Sequence, residues 1–294
     1  MSQFVSYLWR ALACAAAYFA GTMVGASVAP ALGATLPAMP PSVGPGQVAI
    51  VSFLASLTLG PGLGPLATGL QARFLARFAA LAVLAYICLG VNTAIESAIF
   101  TTVGGASGMI VLFLPATVAC AAAAAALFRP AGDPGTGASS WSRFASQFTP
   151  ASWVWRVALA VLAFPVIYLA FGSVVGPFVV GAYRSGAFGL KLPGMGQIIP
   201  TQFVRSALFL LASVPALVLW RGPRLRLAVA LGLAHYVFVG LFGMLQASWL
   251  PTSLRLLHGT ELLADSMVYA AALVLLLVAP SETGPTAGSW NAED

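Results

Sequence analysis

Residues 254 to 280 read LRLLHGTELLADSMVYAAALVLLLVAP, and no charged residue follows Asp265 in the stretch. A helix of about 20 largely apolar residues crosses a hydrocarbon core of roughly 30 Å. This segment therefore belongs in lipid, yet His258, Glu261 and Asp265 stand at its head. Their spacing of i, i+3 and i+7 puts all three on one face of a helix.

The rest of the chain has the same character. Of its 294 residues, 60% are apolar and 7% are charged, whereas about a quarter of a soluble domain is charged. The composition specifies an all-α, polytopic transmembrane helix bundle whose first partner is the lipid bilayer. A net charge of +6 calls for no nucleic-acid partner, because excess Lys and Arg in a membrane protein record its topology. Cys14, Cys88 and Cys120 fall inside apolar runs without the paired spacing of a zinc site or a disulfide framework.

About eight spans fit the pattern, near residues 5–30, 47–68, 78–101, 108–128, 152–181, 201–220, 225–248 and 257–279. Turn signals separate them at PAMPPSVGPG (37–46), RPAGDPGTGASS (129–140), RGPR (221–224) and WLPT (249–252). The organisation expected is a first four-helix half (1–128), a cytoplasmic linker (129–151), a second four-helix half (152–280) and a polar cytoplasmic tail (281–294). Arg10, Arg73, Arg77, Arg129, Arg143, Arg156, Arg221, Arg224 and Arg226 fall on one side of this arrangement, against Arg184, Lys191 and Arg255 on the other. By the positive-inside rule both termini are cytoplasmic, and the acidic residues of the tail do not oppose this. Residues 1–30 also have features of a secretory signal, with Arg10 as its basic region and GASVA before its end, but the apolar stretch is long for one. Retention is the expectation, in a bacterial cytoplasmic (inner) membrane.

Two spans resemble each other. LWRALACAAAYFAGTMVGASVAP (8–30) and VWRVALAVLAFPVIYLAFGSVVGP (154–177) share Trp-Arg at the start and Gly-x-x-x-x-Pro at the end. The third and seventh align loosely, which sets Glu96 beside Gln246. Four spans per unit is an even number, so a 4+4 tandem repeat would be parallel, with its axis along the membrane normal and any shared site between the halves.

Three helices bring ionisable groups toward one depth on the outer side: Asn92 and Glu96 at the end of the third span, Arg205 about a turn into the sixth, and His258, Glu261 and Asp265 in the first two turns of the eighth. A charge deep in hydrocarbon costs about 2.5–3.5 kcal/mol or more. These groups are expected to face one another or a wet cavity, with Arg205 paired to Glu96 or Glu261. Carboxylates left without a cation can bind protons. A competing reading makes His258 and Glu261 interfacial groups at a helix start and Glu96–Arg205 a structural ion pair. His258, Glu261, Asp265 and Glu96 could also offer a nitrogen and oxygens to a metal. His235, at mid-membrane, could ligate haem or a chlorophyll-type pigment, although a lone intramembrane histidine commonly bonds a neighbouring helix.

Motifs of zinc and serine hydrolases, phosphate-binding loops and intramembrane prenyl-protein proteases are absent, which weighs against an enzyme. LGPGLGPLATG (59–69) suggests a broken second span whose freed carbonyls line a cavity, or a loop that ends the span early. Three functions remain open. They are a small transporter or ligand- or ion-binding membrane protein, a non-catalytic subunit packed among membrane-protein partners in a larger complex, and an intramembrane enzyme using the His/Glu/Asp cluster.

Overall fold

The computed structural model describes residues 3–37, 43–131 and 137–280. The tail at 281–294, the middle of the 37–46 loop and part of the linker lie outside the described residues. Eight helices are long and apolar enough to cross a membrane: Phe4–Ala31, Pro45–Gly69, Phe74–Phe100, Ala106–Leu127, Pro150–Arg184, Met195–Leu219, Arg224–Gln246 and Thr252–Leu277. Among the described residues there is no β-strand, only two isolated bridges. The chain is an integral membrane protein of all-helical fold.

Close approach of backbones sets the packing. The first span lies against the fourth, where a side chain at Gly21 or Gly25 would run into the backbone of Pro115 and Ala116 or of Leu112. Without a strong hydrophobic drive between helices in lipid, such small residues let van der Waals contact accumulate. The fifth span lies against the eighth, and the second, third, sixth and seventh form the centre of the bundle.

At the end that carries most of the arginines, the second and sixth spans are tied by two backbone bonds. The Gln71 amide donates to the Leu219 carbonyl (3.0 Å) and the Arg221 amide to the Gly69 carbonyl (3.1 Å). Arginines here also satisfy carbonyls that a helix C-terminus leaves unpaired. Arg77 bonds Ala125 and Phe128 at the end of the fourth span. Arg224 donates to Val274 and Leu275 at the end of the eighth. The two Trp-Arg motifs reach the same helix ends: Arg10 lies over the Phe128 ring and Arg156 donates to the Leu276 carbonyl. At the opposite end, the Lys191 backbone amide donates to the Phe100 carbonyl and the Thr102 amide to the Gly189 carbonyl across the Thr101–Leu190 bridge.

The third and seventh spans each contain a π-helical stretch near the middle, at Tyr86–Val91 and Val237–Leu241. Asn92 and Glu96 follow the first, and His235 precedes the second.

Several boundaries differ from the sequence expectation, with consequences for depth. The sixth helix begins at Met195 rather than 201 and continues through Pro200, which near a helix start forfeits only a single backbone bond. Arg205 is therefore about 15 Å along its helix instead of a turn. The eighth begins at Thr252, directly after Pro251, rather than at 257. That puts Asp265 midway along a 26-residue helix, about 20 Å from its start, and not in its first two turns.

The second span is broken at Leu57–Thr58 and resumes as a helix over Leu59–Gly69. Its backbone is satisfied locally, with Leu57 and Thr58 amides and the Ser56 and Thr58 hydroxyls donating to carbonyls of 53–55. The carbonyls at the break are thus bonded within the chain. The glycines instead admit neighbours, with Gly60 against Ala11, Gly62 against Val237 and Gly69 under the Trp220 ring. Within the linker, residues 137–145 form a short helix where the sequence suggested turn. Phe144 on it is buried against Trp153, whose indole donates to the Ala145 carbonyl (2.9 Å).

Substituting Gly25→Val should destabilise the bundle by about 1–3 kcal/mol through overpacking, read as a lower melting temperature in detergent. Gly176→Val, where a side chain meets open space, should leave the melting temperature unchanged.

Candidate functional site

Arg205 organises the site. It is 2% exposed, and each end of its guanidinium has an oxygen partner. Nε donates to Asn92 Oδ1 (2.8 Å), one terminal nitrogen to Gln202 Oε1 (3.0 Å) and the other to Glu96 Oε1 (2.7 Å). Its carbon sits 5.3 to 5.9 Å from the ring centres of Phe164, Phe209 and Tyr168. A planar, weakly hydrated cation with fixed donors suits such a collar. The sequence offered Glu96 or Glu261 as the partner of Arg205, with Asn92 a turn from Glu96, and the bond is to Glu96. The sequence reading missed Gln202, whose i, i+3 spacing from Arg205 on one helix face was the available signal.

Turning the carbonyl oxygens of Asn92 and Gln202 toward the guanidinium points their NH2 groups elsewhere, and both are buried without a partner. The ion pair is graded in exposure, since the Glu96 side chain is 33% exposed and Arg205 is not. Glu96 is the open side of the network.

A second chain of contacts runs along the eighth span. The Tyr183 hydroxyl on the fifth span lies 3.1 Å from His258 Nε2, and His258 Nδ1 lies 3.0 Å from Glu261 Oε2. Glu261 faces Gly172, where a side chain on the fifth span would sit 3.5 Å from its other oxygen. Asp265, one turn further, is 2% exposed, and neither carboxylate oxygen has a hydrogen-bond partner.

Asp265 lines a small cavity with Phe164, Phe209, His235, Leu262 and Tyr269 among its walls. The space is about 10 Å³, enough for about one water molecule. His235 is held there by Ser213, 3.0 Å from its Nε2, and by the stacked Tyr269 ring. Tyr269 in turn donates to the Ser206 carbonyl at 3.1 Å. Arg205, Glu96, Glu261 and Asp265 all lie within electrostatic reach of Tyr168. The four charged side chains thus converge on one region inside the bundle.

Metal and pigment ligation were two further possibilities raised by these residues. Among the described residues no three His, Cys, Asp or Glu side chains are grouped as a metal would need; Glu96 is engaged by Arg205, and both ring nitrogens of His258 by Tyr183 and Glu261. His235 Nε2 lies 3.0 Å from the Ser213 hydroxyl, and the cavity beside the ring has space for about one water.

Charge sets what the site can take. One guanidinium stands against three carboxylates, of which Glu96 is matched by Arg205 and Glu261 is bonded to His258. Asp265 is left without a bonded counter-charge. The region therefore accommodates a cation or a proton more readily than an anion.

Removing one partner of a buried ion pair costs about 3–5 kcal/mol, so Glu96→Ala should lower the unfolding temperature measurably. The double variant Glu96→Ala with Arg205→Met should be more stable than Glu96→Ala alone, as followed by thermal unfolding in detergent. Comparison with known protein families, curated proteins and solved structures gives no match to this chain.

Proposed function

We propose that this protein is a small transporter, binding an ion or ligand within the membrane at the Glu96, Arg205, Asp265 region, in a bacterial cytoplasmic membrane. The single observation that carries this reading is Asp265, a buried carboxylate with both oxygens unpartnered, facing a cavity beside a charged network. Buried ionisable groups in a bilayer that line a cavity mark ion and substrate pathways.

A two-half architecture supports it. The second and sixth spans, Pro45–Gly69 and Met195–Leu219, are each 25 residues long and exchange reciprocal backbone bonds. The π-helical stretches fall at matching places in the third and seventh spans, and the arginines Arg77 and Arg224 cap the fourth and eighth spans in the same manner. We read these as a parallel repeat with its axis along the membrane normal. The site draws Asn92 and Glu96 from the first half, and Arg205, Glu261 and Asp265 from the second. Its counterpart is neutral: Gln246, in the place of Glu96, donates to Ser52 (2.9 Å), which stands in the place of Gln202. Only one of the two related positions is charged, which fits one binding site per chain.

Orientation follows the basic residues. With the arginine-rich end in the cytoplasm, the Tyr183–His258 end of the site faces outward.

The test is a melting-temperature screen of purified protein against amino acids, sugars, nucleosides and organic acids, followed by flux of any stabilising compound into proteoliposomes. A ligand at about 100 times its dissociation constant stabilises by about 2.7 kcal/mol. The reading expects a stabilising compound whose uptake depends on pH and is lost in Glu96→Gln and Asp265→Asn at unchanged expression. Uptake unaltered in both variants would overturn it, as would the absence of any stabilising compound together with a fixed protein partner copurifying in mild detergent.

A further inference from the structure

We propose that the ion taken by this site is a proton, that Asp265 is the group that binds it, and that Tyr183, His258 and Glu261 form its path from the outer end. The proposal deepens the transporter reading by naming the coupled ion, and it rests on that reading only for its role in transport.

The geometry favours a proton over a metal cation. Sodium or a larger ion needs several oxygen ligands around it, as hard cations do. Around Asp265 the walls are mostly carbon, from Phe164, Phe209, Val239 and Leu262. The nearby oxygens of Tyr269 and Ser206 bond to one another or to the backbone, which leaves the Ser266 hydroxyl as the other side-chain oxygen lining the cavity. The cavity has space for about one water and not for an ion with a coordination shell. A proton needs one lone pair, and Asp265 offers oxygens that nothing else occupies.

The titratable and charged groups that face Asp265 come from each element packed on the eighth span that bears one. They are Tyr168 from the fifth span, Arg205 from the sixth, His235 from the seventh, and Glu261 and Tyr269 from the eighth itself. Arg205 is committed to Glu96, Asn92 and Gln202, and His235 to Ser213. Neither bonds Asp265. Asp265 therefore has no bonded cation, and Glu261 stands one turn away on the same helix face.

The path is graded. The side chains of His258 and Glu261 are 18% and 10% exposed, and Asp265 is 2% exposed. A proton accepted at His258 Nε2, from water or through the Tyr183 hydroxyl, makes the ring an imidazolium. Loss of the Nδ1 proton to Glu261 Oε2, 3.0 Å away, returns the ring to neutrality and leaves Glu261 protonated. Transfer from Glu261 to Asp265, i and i+4 on one helix face, then crosses one helical turn. Each step moves one proton, and the net change is one proton from the outer solution to Asp265.

The test uses wild-type protein in lipid and dicyclohexylcarbodiimide, an apolar reagent that modifies protonated carboxyl groups, with the modified residue mapped by mass spectrometry. Labelling at Asp265 should fall at least tenfold between about pH 5 and about pH 9, and should vanish in Asp265→Asn, which mimics the protonated side chain and should fold. Glu261→Gln should leave equilibrium labelling at Asp265 intact but slow proton uptake from an outer pH jump, read by a dye in stopped flow. His258→Phe should slow it likewise. Labelling confined to Glu96, or labelling of Asp265 that ignores pH, overturns the proton assignment. Uptake rates unchanged in Glu261→Gln and His258→Phe overturn the path. Because labelling needs no substrate, a positive result with no flux of any compound would retain the proton site and refute the transporter reading alone.

Discussion

The cost of holding one guanidinium inside a lipid-embedded bundle governs the interior of this protein. A charge there is tolerable only if its attraction to partners offsets the loss of water, and Arg205 meets that condition with a carboxylate, two amide oxygens and three aromatic rings. Those partners come from the third, fifth and sixth spans, so one side chain fixes how three helices sit. Paired this way, Arg205 is also unavailable to Asp265, and that leaves a second charge nearby without a match. The two charges are thus linked: the better Arg205 is satisfied by Glu96, Asn92 and Gln202, the less it offers Asp265.

Much of the architecture was legible from residue chemistry. Eight long apolar runs separated by Pro, Gly and Arg clusters fixed the class and the number of spans, because the bilayer imposes length and backbone satisfaction so strictly. The Glu96–Arg205 pairing was accessible by the same reasoning, since lone charges in lipid are costly. Depth was read less well. Pro200 and Pro251 look like boundaries, yet one lies within a helix and the other immediately precedes one. Each shifted a helix start by a turn or more and moved Arg205 and Asp265 toward the middle of their helices.

Other features had no usable sequence signal. Gly-Pro-rich LGPGLGPLATG suggested exposed backbone carbonyls, but the residues that matter there are the absent side chains, which allow Ala11, Val237 and Trp220 to approach. Short-range bonding by Ser56 and Thr58 closed the break without a ligand. The arginines of the basic end were read as topology markers, and several also terminate helices by bonding their last carbonyls. A charge count cannot separate those two roles, because both favour cations at the same place.

The π-helical turn at Tyr86–Val91 has a consequence for everything beyond it on the third span. A turn that holds an additional residue resets the rotational phase of the following helix, by about 100° per residue. Asn92 and Glu96 begin immediately after that reset. Their alignment toward Arg205 is therefore a matter of angular timing along the chain: with a regular turn in its place, the same two side chains would swing by roughly a quarter of a circle, and the guanidinium would lose two of its oxygens without any residue in the site having changed.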